Sequence, residues 1–168
     1  MKRRVQLPDF GTYSHTKSSS PIDFTSRIPP NLFHDLLFLS SYIRDARFRI
    51  ERIRLRGKTL KIPMERDRWE LYERLGQLES ISSQLTINPV LSIVWETEGK
   101  RLRKGSLPRN REFSIRGVYL AESFWDDSDK GEIIFKGHGK RPFKLRLTVR
   151  DYFVVHLKDR TEKNPSTR

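Results

Sequence analysis

Residues 143–158 read FKLRLTVRDYFVVHLK, and their alternation decides the fold class. Side chains on a β-strand point to opposite faces in turn, so apolar/polar alternation marks a strand with one face in a core and one in water. Phe143, Leu145, Leu147 and Val149 make one apolar set, and Phe153, Val155 and Leu157 a second. Arg150-Asp151-Tyr152 interrupts the apolar series, so the stretch reads as two strands, 143–149 and 152–158, joined as a hairpin. Its outer face carries Lys144, Arg146, Thr148 and Arg150 on one strand and Tyr152, Val154, His156 and Lys158 on the other. Lys136, on the strand before, joins that face.

Working outward, residues 84–87, 90–96, 113–125 and 132–136 are rich in β-branched and aromatic types and read as further strands. Residues 48–55 and 60–64 form a hairpin about Arg56-Gly57-Lys58, with a bulge near Glu51 and Arg52 to bring Ile50 and Ile53 onto one core. Ahead of them, Asn31 can cap a helix of about fifteen residues in which Leu32, Leu36, Leu39, Ile43 and Ala46 recur at helical steps. Residues 67–78 fit a second, short helix, against which Gly76 counts. Ala46 and Ala121 are the only alanines, which argues against a helical bundle, and no strand–helix alternation supports a parallel sheet. The predicted fold is α+β and mainly β: a predominantly antiparallel sheet of seven or more strands with one long N-terminal helix.

The chain has 168 residues, of which 47 are Leu, Ile, Val or Phe, enough for one core. Residues 31–158 are read as one globular domain. Residues 1–30 mix proline, serine and isolated aromatics without a period and read as a flexible basic arm; 159–168 read as a polar tail. Cysteine is absent, which excludes disulfides, thiolate nucleophiles and cysteine metal sites. No apolar run follows Lys2, Arg3 and Arg4, and none elsewhere reaches 18 residues. The expectation is a cytoplasmic protein with no membrane contact.

Charge gives the functional lead. With 34 basic and 21 acidic residues the chain carries a formal +13, and residues 29–158 hold +9 of it. Arginine outnumbers lysine 22 to 12, and a guanidinium grips phosphate with two parallel hydrogen bonds. Residues 100–116 hold seven basic side chains against one acidic, and Gly105 and Pro108 make the segment a loop. It reads as a clamp on a phosphate backbone, with Lys100, Arg101, Arg103, Lys104, Arg109 and Arg111 as contacts. Lys144, Arg146 and Tyr152 on the sheet add cations and a ring for base stacking. The leading expectation is a non-enzymatic domain that binds RNA or single-stranded DNA.

Two rivals come from other classes. A protein-interaction module would use the helix face around Phe33, Leu37 and Phe38. A metal-dependent nuclease would use Glu96, Glu98 and Lys100 with Glu79 on a neighbouring strand. No G-x-S-x-G elbow, P-loop or H-E-x-x-H occurs, and the four histidines lack ligand spacing. Asp126, Asp127 and Asp129 with Gly131 read as a hairpin turn, since the spacing does not fit an EF-hand loop. No catalytic residue, metal or cofactor is assigned.

Overall fold

The computed structural model describes residues 22–28, 33–76, 78–97, 100–102, 111–121, 129–138 and 142–160. Nine strands lie among them: β1 (Asp23–Ile28), β2 (Arg47–Arg49), β3 (Arg54–Arg56), β4 (Thr59–Asp67), β5 (Ser80–Thr97), β6 (Lys100–Arg101), β7 (Glu112–Leu120), β8 (Lys130–His138) and β9 (Phe143–Asp159). Two helices accompany them, α1 (Phe33–Tyr42) and α2 (Trp69–Leu75). The strands pair antiparallel in the order β1-β9-β8-β7-β2-β4-β5-β6, with β3 on β4. Because β5 also pairs with β9, six strands (β9, β8, β7, β2, β4 and β5) close into a barrel.

The decisive stretch is one strand of 17 residues, not a hairpin. Phe143, Leu145, Leu147, Val149, Phe153, Val155 and Leu157 are all buried, so one period-2 phase runs through the supposed turn. At Asp151 the strand changes neighbour: residues 144–150 pair with β8 and residues 153–158 with β1, while β5 follows both halves. Likewise 84–87 and 90–96 are parts of one strand, Ser80–Thr97, with register shifts on either side of Val90.

The helix is shorter than the apolar spacing predicts. It ends at Tyr42 after ten residues, so no long N-terminal helix forms among the described residues. Ile43 and Ala46 continue the apolar series from a turn instead; Asp45 there adopts φ 60°, its amide donates to the Ile115 carbonyl, and the Ala46 carbonyl accepts from the Ile115 amide. Leu36, Leu39, Tyr42 and Ile43 are buried, and α1 bridges β1 to β7: Phe24 packs on Tyr42 at 6.0 Å and the Val118 amide donates to Ser40 Oγ at 3.1 Å. The stretch read as arm therefore contributes β1, while residues 1–21 lie outside the described residues. The short second helix forms over Trp69–Leu75 and Gly76 ends it in the left-handed conformation, a regular use of glycine. Gly57, at φ 58°, turns β3 into β4, and the expected bulge is a 3₁₀ turn over Ile50–Arg52.

An aromatic cluster fills one end of the barrel. Trp95 stacks on Phe143 at 4.7 Å and meets Phe113 edge-on at 4.9 Å. Gly137 faces inward beneath Phe143, where an added Cβ would lie 1.7 Å from the ring. At the other end, period 2 along β4 continues Leu60, Ile62 and Met64 to Arg66, whose side chain is 0 % exposed. All five of its N–H groups are used. Nε and Nη2 donate to Asp159 at 2.8 and 2.7 Å, Nη1 and Nη2 to Glu70 at 3.0 and 2.7 Å, and Nη1 also to the Asp67 carbonyl at 3.5 Å. Asp159 further accepts from Ser83 Oγ at 2.6 Å and the Ile22 amide at 2.8 Å. Burial alone would push the Asp159 carboxyl up, but hydrogen bonds from Arg66 and its positive charge, with those from Ser83 and Ile22, hold it below the usual carboxylate range. Asp159, read from sequence as the start of a polar tail, is thus the anchor that ties β9 to β1, β4 and β5.

Among the described residues no helix is long and apolar enough to cross a membrane.

Candidate nucleic-acid interface

The even-numbered residues of β9 face outward, as the alternation requires, and registration places cations from three other strands, and Glu96 of β5, in line with them. Across the sheet, Arg101 of β6 faces Glu96 of β5, Glu96 faces Lys144 of β9, Lys144 faces Lys136 of β8, and Lys136 faces Gly117 of β7. A register shift between Ile115 and Gly117 makes Arg116 the extra residue and leaves it exposed at the end of that row. Arg116, Lys136 and Lys144, together with Glu96, border a groove of about 280 Å³ that Gly137, Pro142 and Phe143 also line. Among the described residues none of these three cations forms an ion pair; Glu96, which faces Lys144, is engaged by Arg146 at 3.0 Å instead. A second like-charged pair, Lys130 opposite Arg150, lies farther along the same two strands.

Tyr119 supplies an aromatic surface beside this groove, against Lys136. It is 45 % exposed, and Lys136 Nζ sits 4.9 Å from the centre of its ring. The ring lies over Gly117, where a Cβ would come within 2.9 Å of the phenol oxygen and 3.2 Å of the ring carbons. Glycine at that outward position lets the ring lie along the strand.

The residues predicted from sequence fare unequally. Lys144 and Arg101 are exposed in the row, although Arg101 Nε also lies 3.9 Å from Glu96. Arg146 shares their face but is occupied, with Nε on Glu96 at 3.0 Å and Nη1 3.7 Å from Glu132. It cross-links three strands and contributes little free charge. Arg111 is exposed just before β7. Arg103, Lys104 and Arg109 lie outside the described residues. Tyr152 is 58 % exposed but stands eight positions along β9 from Lys144, roughly 26 Å at strand rise, so it stacks at no common site with that lysine. Sequence reasoning passed over Tyr119 and Arg116 because the bulge that brings Arg116 to the groove and sets Tyr119 beside Lys136 has no simple periodic signature. The outward Gly117 two residues before an outward Tyr119 was the available clue.

The rival sites separate. Glu79 immediately precedes β5 and Glu96 lies near its far end, so they occupy opposite ends of one strand, not neighbouring strands; Glu98 lies outside the described residues. Glu96 is bonded to Arg146, and Glu79 lies 3.3 Å from Arg68. Among the described residues no group of three His, Asp or Glu side chains is arranged to hold a metal ion. On α1, Phe38 packs partly buried against the core while Leu37 is exposed.

Compared with protein-family models, curated proteins and solved structures, the chain matches none.

Proposed function

We infer that the wall formed by β7, β8, β9 and β5 binds a single-stranded polyanion, RNA or single-stranded DNA, with phosphates on Arg116, Lys136, Lys144 and Arg101 and a base against Tyr119. One observation carries this reading: Lys136 and Lys144 face each other in register without a carboxylate between them. Like charges directly opposite in a sheet are destabilising, by about 0.5 kcal/mol for an exposed pair. A phosphate placed between the two removes that repulsion and replaces it with two attractions. The adjacent ring provides the stacking surface that single-strand binders combine with a basic groove. Arg103, Lys104 and Arg109 extend the basic segment next to Arg101 along the chain and supply further phosphate contacts. Contacts of these kinds give affinity without a base-reading code, so the binding is weakly sequence-specific. The sequence-based expectation of a cytoplasmic, non-enzymatic protein is kept in this proposal.

Fluorescence anisotropy with labelled single-stranded and duplex oligonucleotides across a salt series tests this. A steep fall of log affinity with log salt and preference for the single strand are expected. A slope near zero contradicts the reading, and so does equal affinity for heparin and oligonucleotide, which leaves no role for Tyr119.

A further inference from the structure

The opposite wall of the barrel carries a second cationic groove, built differently. Around the ring, β2 lies three strands from β9 and β4 three strands from β8. They pair at one position, Arg47 with Glu65, and pairing with β4 resumes only where Arg54 of β3 meets Lys61. Between those points the upper chain spends six residues, 48–53, against three on β4, 62–64. Pro63 stands in the middle of those three, and having no N–H it cannot donate to a ladder bond there. The strands part and leave a groove of about 230 Å³.

Four arginines line it, Arg47, Arg49, Arg52 and Arg160, together with Ser82. Their carboxylate partners lie elsewhere or are missing. Arg47 Nη2 lies 3.6 Å from Asp67 and Arg49 Nη1 3.9 Å from Glu51, while Arg52 and Arg160 have no carboxylate partner among the described residues. Two carboxylates do line the groove, Glu65 and Glu112. Glu65 accepts only from Ser82 Oγ, at 3.1 Å, among the hydrogen bonds of the described residues. The wall therefore offers fork-shaped donors suited to a phosphate beside carboxylate acceptors suited to hydroxyl or amino groups.

We propose that this groove is a second anion site, one that takes a terminal phosphate monoester together with the sugar attached to it. Arg49, Arg52 and Arg160 hold the phosphate, and Glu65 and Glu112 accept hydrogen bonds from the sugar hydroxyls. A volume of about 230 Å³ falls below the roughly 300–1,000 Å³ of pockets that enclose a whole drug-sized ligand, so a base attached to the sugar stays outside. The same chemistry occurs in a free nucleoside monophosphate and at the 5′-phosphorylated end of a nucleic-acid strand. The site is independent of the Lys136–Lys144 wall.

The test uses the full chain carrying Lys136→Gln and Lys144→Gln, so that the other wall does not contribute. Calorimetric titration with ribose 5-phosphate, AMP, inorganic phosphate and ribose is run beside anisotropy with one oligonucleotide bearing either a 5′-phosphate or a 5′-hydroxyl. Saturable binding of ribose 5-phosphate and AMP, one per chain, identifies a free phosphate ester; preference for the 5′-phosphorylated strand alone identifies a strand end, and either supports the site. In both cases Arg52→Gln and Arg160→Gln should each weaken binding about tenfold, with the thermal midpoint unchanged because both side chains are exposed. Absence of both signals overturns the proposal. It is also overturned if the two arginine variants bind as tightly as their parent, or if inorganic phosphate binds as tightly as ribose 5-phosphate.

Discussion

Arg66 and Lys136 are cations on strands of one barrel, and the fold surrounds them in opposite ways. Arg66 points inward, gives every N–H to Asp159, Glu70 and the Asp67 carbonyl, and is sealed from water. Lys136 points outward, faces another lysine and, among the described residues, is met by a tyrosine ring and no carboxylate. The first arrangement uses charge to fix where four strands meet. The second leaves charge unneutralised at a cost in stability, which is reasonable where a ligand completes the balance. Substitutions should therefore act in opposite senses at the two places.

The largest effect belongs to the sealed cluster. Arg66→Met should destabilise by about 3–5 kcal/mol in urea unfolding, since Asp159 and Glu70 remain buried without their partner. A loss under 1 kcal/mol would remove the distinction between the two regions. Next, Gly137→Ala forces a methyl into the Phe143 ring and should cost about 1–3 kcal/mol, read as a lower thermal midpoint, without depending on charge. Acid sensitivity sharpens the comparison further. Because the folded-state carboxyl of Asp159 lies below its usual range, its stabilisation is complete above the unfolded value and is lost as the pH falls through the folded value. Asp159→Asn should lower stability at neutral pH and flatten the acid limb below about pH 4, an effect that Lys136→Gln should not produce.

At the open wall the expected changes concern affinity. Tyr119→Ala should weaken single-strand binding by about 1–3 kcal/mol, and Tyr152→Ala should leave it unchanged. Equal losses would restore the sequence-based assignment of Tyr152 and place the ligand along the whole of β9.

Much of this comparison is legible before folding is considered. Odd positions from Phe143 to Leu157 are apolar apart from Asp151, and no Gly, Asn or Pro occurs where a turn would need one, so a single long strand was readable from those residues alone. The charged pair Arg150-Asp151 hid it, because a change of neighbouring strand looks like a turn in one dimension. Arg66 similarly falls on the inward phase of Leu60, Ile62 and Met64, but its partner Asp159 lies 93 residues away and no local pattern connects them. The cationic segment 100–116 was visible as composition. The row through Arg101, Lys144, Lys136 and Arg116 depends on registers between five strands and on one bulge, and sequence spacing fixes neither.

The claim that surplus charge on the β8–β9 wall serves an anionic strand is tested most directly by Lys136→Gln/Lys144→Gln, measuring oligonucleotide affinity against salt and thermal stability on the same samples. Affinity should fall, the slope of log affinity against log salt should shallow by about 1.4 for two lost single-strand contacts, and the thermal midpoint should hold or rise as the repulsion disappears. An unchanged slope and affinity, or a protein that melts earlier, would show that these lysines support the fold and leave the wall without a ligand.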